Sequence, residues 1–395
     1  RDMATHVYRW TGERGRPVGR EGARGELRGE AIDQSVYENS FYARAGASYD
    51  ISEAHVLRAS ITPQFIARTG DDHVPERVDL LGLDDGVLQL VGGAEYQAGS
   101  DDDALSNIAF AKGYYLHATH EERPQGVANP VVLDITRDMS NWGIGDGLRY
   151  RLSDWLLAKA SYEYATRLPR PDELFGDGAL VESNTGLKPE QSHNVNLGPR
   201  FDLRRTGYGD VLVDINGFLR ESKDQIILLA GSNFIPYANI ADMRVLGIEG
   251  ALAWTAPGRW LTLDGSFTWQ DVRNTSDSGP FAQMNGMRIP SRPWLFASWS
   301  ARFRIERSRY AFEPFYQGRY THGFDRGWAI GDPEFKISLP AQVNHDAGIS
   351  YSLTPAYGRL GASFQVDNFT NASLFDTFGV QRPGRSLNLK VTAEL

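Results

Sequence analysis

Apolar and polar residues alternate with a period of two along most of this chain. At the C-terminus Leu387, Leu389, Val391, Ala393 and Leu395 alternate with Ser386, Asn388, Lys390, Thr392 and Glu394. Leu360, Ala362, Phe364 and Val366 alternate with Gly361, Ser363, Gln365 and Asp367, and Leu261 to Trp269 repeats the pattern. Leu295, Ala297, Trp299, Ala301, Phe303 and Ile305 do so with partners that include Arg302 and Arg304, while Val211 to Arg220 is less regular. Period two is the mark of a strand with two different faces. Ten residues rising roughly 3.3 Å each and tilted by about 40° cover roughly 25–30 Å, the apolar height of an outer-membrane barrel.

The connections alternate too. Short turns fall at Ser52-Glu53, Ser153-Asp154, Thr255 to Gly258, Glu306 to Arg309 and Thr354 to Gly358. Long polar loops fall near 11–35, 68–86, 119–141, 166–191, 222–243, 272–292, 321–341 and 368–384. Transmembrane barrels have short turns on one rim and long loops on the other. Trp155, Trp260, Tyr310 and Tyr357 follow turns, where an interfacial girdle favours amphipathic rings. Sixteen strands are predicted, at about 2–10, 36–49, 54–67, 87–97, 106–118, 142–152, 155–165, 192–203, 209–220, 244–255, 259–270, 294–305, 309–320, 342–353, 358–367 and 386–395. The fold class is therefore all-β, a transmembrane antiparallel barrel read as one domain over 1–395.

Composition narrows the function. The 395 residues carry 41 Lys+Arg against 50 Asp+Glu, a net charge of −9 that suits no general nucleic-acid binder. Cysteine is absent, which removes disulfide frameworks, Cys-ligated metals and thiol nucleophiles. No run of 18 apolar residues reads as a membrane-spanning helix. No Gly-x-Ser-x-Gly elbow, His-Glu-x-x-His or phosphate-binding loop is found, so no enzyme is expected and no cofactor or metal is called for. Gly143-Ile144-Gly145-Asp146-Gly147 lies in a strand pattern and opens no helix. His117 and His120, followed by Glu121 and Glu122, would ligate one metal only from a loop, because strand positions three apart face opposite ways. Arg14, Arg16, Arg20, Arg24 and Arg28 in the loop 11–35 could bind lipopolysaccharide phosphates or another anionic ligand, but Glu13, Glu21, Glu26 and Glu30 dilute their charge and a solvated loop is the favoured reading.

The most specific stretch runs from Tyr164 to Gly198. It reads Thr166-Arg167-Leu168-Pro169-Arg170-Pro171-Asp172-Glu173-Leu174-Phe175, then Asn184-Thr185-Gly186-Leu187-Lys188-Pro189-Glu190-Gln191-Ser192. Val245 to Gly250, Gly286 to Pro293, and Val366 to Asn371 with Pro383 to Ser386 add three further motifs in order. Together these resemble TonB-dependent outer-membrane receptors, firmly over about 140–395 and by strand pattern alone before that. Arg167, Glu173, Leu174, Phe175, Leu187, Lys188, Pro189 and Glu190 match the family's structural motif. Asn196 stands where Glu is commoner, Leu168 adds a residue before Pro169, and the chain ends on Leu395 rather than Phe or Trp.

The resemblance implies a 22-stranded barrel, a plug domain and a TonB box, of which this sequence looks like the last sixteen strands. An open sheet edge is not tolerated in lipid, so the expectation is that a missing segment or second chain supplies the plug and first strands. By resemblance the receptor takes up a scarce, bulky solute such as a ferric siderophore, with the TonB complex acting indirectly through the plug. Two alternatives stand beside this, a self-closed passive channel and a receptor-like barrel that docks a partner protein. Expected partners are outer-membrane lipid and lipopolysaccharide, with no nucleic acid. Phe234, Tyr237, Phe324, Arg326 and Trp328 are the loop candidates for an organic ligand, with loop-to-loop packing as the competing reading. Lys159, Glu163, Asp214, Arg220, Asp264, Arg302, Arg304, Asp367, Lys390 and Glu394 are expected to face a polar lumen.

Overall fold

A strand satisfies its backbone only sideways, so an alternating chain is driven to pair with its neighbours in sequence. A computed structural model describes residues 2–12, 32–72, 83–122, 133–176, 181–228, 235–279, 281–325, 328, 338–354, 358–376 and 380–394. Its long strands are β1 (Asp2–Gly12), β2 (Ile32–Tyr42 with Ala45–Ser52), β3 (His55–Asp72) and β4 (Leu83–Gly99). There follow β5 (Leu105–Glu122), β6 (Leu133–Ser153), β7 (Leu156–Arg167), β8 (Glu190–Thr206) and β9 (Gly209–Leu228). The rest are β10 (Ile235–Thr255), β11 (Leu261–Asn274), β12 (Leu295–Phe303 with Ile305–Arg307), β13 (Tyr310–Thr321), β14 (Gln342–Leu353), β15 (Arg359–Asp367) and β16 (Ser386–Glu394). Each pairs antiparallel with the next, giving one continuous meander of sixteen strands among the described residues. Among those residues no pairing joins β1 to β16.

The two split strands have one cause. The break in β2 at 43–44 lies opposite Pro63, and the break in β12 at Arg304 lies beside the partner of Pro314. Proline has no N–H to give the ladder, so the facing strand loses a rung and bends.

The alternation of turns and loops agrees with the sequence, but many of the strands are longer than the expected ten residues. Both β6 and β10 have 21 residues. Much of 68–86, 119–141 and 222–243, expected as loop, is therefore strand. Beyond the apolar band both faces of a strand can be polar, so the period-two signal fades while the ladder continues.

The faces sort as expected. Leu387, Leu389 and Val391 are 67–74% exposed on the outer side of β16. Trp155, Trp260 and Tyr310 are exposed beside the short turns, and Tyr208 joins them at the β8–β9 turn. Tyr357 lies outside the described residues. Inward charges are largely paired: Lys159 with Asp214 at 2.6 Å, Lys112 with Glu163 at 3.1 Å and Arg304 with Glu313 at 3.3 Å. Arg220 donates to Asn194 at 2.7 Å, Ser300 to Asp264 at 3.2 Å, and Ser386 to Asp367 at 3.1 Å. Lys390 and Glu394 line the inner wall with Glu313 and Arg359, and Arg302 alternates onto the same side. The buried apolar cluster sits at the long-loop mouth, where Ile66, Val87, Leu116, Ala118 and Met139 of the wall meet Leu168, Leu174, Phe175 and Leu187 of the β7–β8 loop.

Candidate functional site

The described residues of the β7–β8 loop, 168–176 and 181–189, fold into the mouth. Its sequence requires this. Leu168, Leu174, Phe175 and Leu187 are apolar residues in a loop that would otherwise meet water, and all four are at most 6% exposed. Pro169 and Pro171 stop β7, and Pro171 opens a single helical turn, α1 (Pro171–Phe175). Glu173 Oε2 accepts from Arg170 N at 2.8 Å and ties that turn to its own start.

Arg167, the last residue of β7, is the pin. Its Nη1 donates to both oxygens of Glu173 at 2.9 and 3.0 Å, and its Nη2 donates to Glu190 at 2.5 Å. Glu173 is buried, and Glu190 opens β8 and accepts from Ile226 N on β9 at 2.8 Å. One fork-shaped guanidinium therefore locks both ends of the loop, a task for a planar, bidentate cation. Lys188 uses its backbone: its N donates to Asn239 Oδ1 at 2.7 Å, and Asn239 Nδ2 donates back to Lys188 O at 2.9 Å. The Lys188 side chain is exposed, and Pro189 is half-buried. Asn184 Nδ2 donates to Tyr237 O at 2.7 Å, Arg137 Nε to Thr185 O at 3.1 Å and Arg68 Nη1 to Gly176 O at 2.9 Å. Strands β3, β6, β7, β8, β9 and β10 all hold this one loop.

Of the loop candidates, Tyr237 is half-buried against the mouth cluster. Phe324 is 8% exposed, in a two-residue strand Phe324–Asp325 paired with Ser338–Leu339. The Trp328 ring lies 5.9 Å from that of Phe281. Phe234 and Arg326 lie outside the described residues. Tyr237 thus packs with the mouth cluster, while Phe324 and Trp328 belong to the loop after β13.

His117 and His120 lie on β5, not in a loop. His117 faces outward and meets Asp138 at 2.9 Å, while His120 faces inward and meets Asp85 at 2.6 Å. His120 also stacks on Phe175 with centroids 5.5 Å apart, joining the wall to the folded loop. Reading the sequence missed the Asp85–His120–Phe175 contact, because its members are far apart in the chain and only register brings them together. The alternation of Leu116, Ala118 and His120 was the available signal for the inward face of His120. Among the described residues no group of three or more His, Asp or Glu is placed to hold a metal ion. What this geometry offers is a loop held against the inner wall at the mouth, above a polar lumen.

The sequence matches the family described as TonB dependent receptor-like, beta-barrel, over residues 79–369. Comparison with curated proteins gives no match. Among solved structures it is similar to the copper transporter OprC, with a TM-score of 0.75, 14% identity and coverage of 100% of this chain and 61% of that one. It is similar to the FrpB iron transporter from Neisseria meningitidis (F3-3 variant), with a TM-score of 0.71, 14% identity and coverage of 98% and 58%. It is also similar to BauA, the ferric preacinetobactin receptor from Acinetobacter baumannii, with a TM-score of 0.67, 15% identity and coverage of 92% and 55%. The chain thus spans little more than half the length of these structures, and at such identity the likeness is one of fold. With the family match covering most of its length, the chain belongs to the TonB-dependent receptor-like β-barrel family.

Proposed function

We propose that this chain is the barrel part of an outer-membrane receptor that takes up a scarce, bulky solute, a ferric siderophore being the leading class, in a TonB-dependent manner. The observation that carries this is the β7–β8 loop pinned into the mouth by Arg167, Glu173 and Glu190. A loop fixed at several points around the mouth is the kind of rigidly held surface on which a receptor can hold a large solute before moving it. The likeness in fold to the FrpB iron transporter and to the ferric preacinetobactin receptor BauA supports the solute class. A plug-bearing segment or second chain, contributing the plug and further strands, belongs to the same proposal, as does residence in the Gram-negative outer membrane.

The test is uptake of radiolabelled iron by an iron-restricted strain lacking this receptor, complemented with the full receptor. Catecholate, hydroxamate and carboxylate chelates of ferric iron would be supplied in turn, with copper as a further probe. Restored uptake that stops when TonB is removed supports the reading. Conductance of small ions through the purified protein, with no TonB-dependent uptake of any probe, would favour the passive channel instead.

A further inference from the structure

One stretch of the outer face departs from the apolar rule. Outward positions of β10 run Leu252, Ile248 and Leu246, each 45–47% exposed, and the next outward residue towards the loops is Arg244. Directly opposite Arg244 on β11 is Arg273, and opposite Arg273 lies Arg288 of the β11–β12 loop. Three arginines thus form a row across the outside of the sheet. Arg244 is eleven residues above the end of β10, which at 3.3 Å per residue and a tilt of about 40° is about 28 Å above the short-turn rim. An apolar band of about 25 Å ends just below it. The row therefore lies where the outer leaflet turns from acyl chain to headgroup.

The arginines are arranged, not merely near one another. Asp271, opposite Leu246, accepts from Arg273 Nε at 2.6 Å and from Arg288 Nε at 2.9 Å. One carboxylate holds two guanidiniums by the same nitrogen. Arg273 Nη1 is spent on Gly286 O at 2.8 Å, and the Arg288 guanidinium also lies 5.8 Å from the Trp294 ring centroid. Arg244 is exposed and makes no ion pair or hydrogen bond among the described residues, although Glu221 is its cross-strand neighbour on β9. Counting Asp271 and Glu221 against the three arginines leaves an excess of one positive charge, with the Nη groups of Arg244 and Arg288 unspent. Guanidinium donors fixed side by side above exposed aliphatic side chains match a phosphate on an acylated carrier.

We propose that Arg244, Arg273 and Arg288, set by Asp271, form a site on the outside of the barrel for the phosphorylated headgroup of an outer-leaflet glycolipid, whose acyl chains lie along Leu246, Leu252 and Ile248. This rests on the membrane-barrel reading above. It is distinct from solute uptake through the lumen.

The experiment is native mass spectrometry of the full receptor, extracted from outer membranes in mild detergent and then offered three probes. These are bis-phosphorylated lipid A, the same lipid dephosphorylated, and phosphatidylglycerol. Retention of one bis-phosphorylated lipid A, at least tenfold above the dephosphorylated form and above phosphatidylglycerol, is expected. Arg244→Ala with Arg288→Ala is expected to lower that retention at least tenfold; Arg244→Ala alone leaves the Asp271 hub intact and gives a smaller loss. Equal retention by the double variant, or equal binding of the dephosphorylated lipid, overturns the site. Equal binding of phosphatidylglycerol overturns the assignment to a glycolipid. Heat-dependent electrophoretic mobility reports whether each variant is a folded, membrane-inserted barrel. Its absence in the unsubstituted receptor would refute the barrel reading itself, whereas a folded barrel without lipid refutes only the site.

Discussion

Arg167 shows how much one residue decides in this fold. Its two carboxylate partners stand on opposite sides of the loop, and Glu173 is buried. Removing the guanidinium strands a buried carboxylate, the costly way to break an ion pair. With Arg167 itself partly exposed, Arg167→Ala is expected to loosen the loop by about 2 kcal/mol, roughly a thirtyfold larger population of the open loop. Hydrogen exchange at the Asn184 amide, which donates to Leu174 O at 2.8 Å inside the folded loop, measures it. Arg167→Lys should recover only part of the protection, since an ammonium cannot fork between Glu173 and Glu190. A second residue-scale expectation concerns the β4–β5 turn. There Asp102 accepts from Ser100 Oγ at 2.5 Å and from Ala104 N at 3.1 Å. The Ser100 hydroxyl, then the Ala104 amide, hold its carboxyl below the ordinary 3.8. A lowered carboxyl favours the ordered turn above its ordinary value, and the benefit disappears as pH falls through the lowered one. A carbon-13 titration of the Asp102 carboxyl should therefore find its midpoint below 3.8.

At the scale of elements, the strands show which parts of the pattern are legible in sequence and which are not. Alternation places all sixteen strands, because a lipid-facing side and a wet side force opposite chemistry onto successive residues. It misjudges their upper ends, because above the membrane that pressure is gone, and β6 and β10 run on to 21 residues. The Arg167 to Glu190 motif is visible as a string of residues. Its clamp to Asn239, Arg68 and Arg137 is not, since register alone brings these within reach. Asp146 is the exception inside the band. It lies outward on β6 between the exposed Ile144 and Leu148, and Asn107 Nδ2 donates to both its oxygens at 2.9 and 3.0 Å. Its row partners are Ala109 and Tyr162, several residues above the short turns. A carboxyl at such depth on the lipid face costs stability, with acids costing less than the roughly 2–4 kcal/mol of a cation at midplane. Asp146→Leu is expected to stabilise the barrel by about 1–2 kcal/mol, read from urea unfolding in lipid vesicles. An unchanged or lower stability would show that the carboxyl has a partner on the outer face that compensates for its position.

For the whole molecule, the question is how the sheet ends. β16 hydrogen-bonds to β15 along one edge, over Arg359 to Asp367, and among the described residues its other edge has no partner; β1 is in the same position beside β2. Every residue of β16 is exposed. In lipid each unmatched backbone group costs several kcal/mol, so a ladder of nine residues cannot stay open. Either β1 and β16 close on each other, or further strands stand between them, as the proposed plug-bearing segment requires. The chain offers a clean way to choose, because it has no cysteine of its own. With Lys390→Cys on β16 and a series of single cysteines along Met3 to Trp10 of β1, direct closure would put at least one pair within disulfide range, Cα atoms about 4.4–6.8 Å apart. The proposal of intervening strands expects no intramolecular disulfide at any position in outer membranes. It also expects an extracted assembly heavier than the 44.0 kDa of this chain. A single position that oxidises efficiently would make this a self-closed barrel of sixteen strands, and the passive channel would then become the better account of its function.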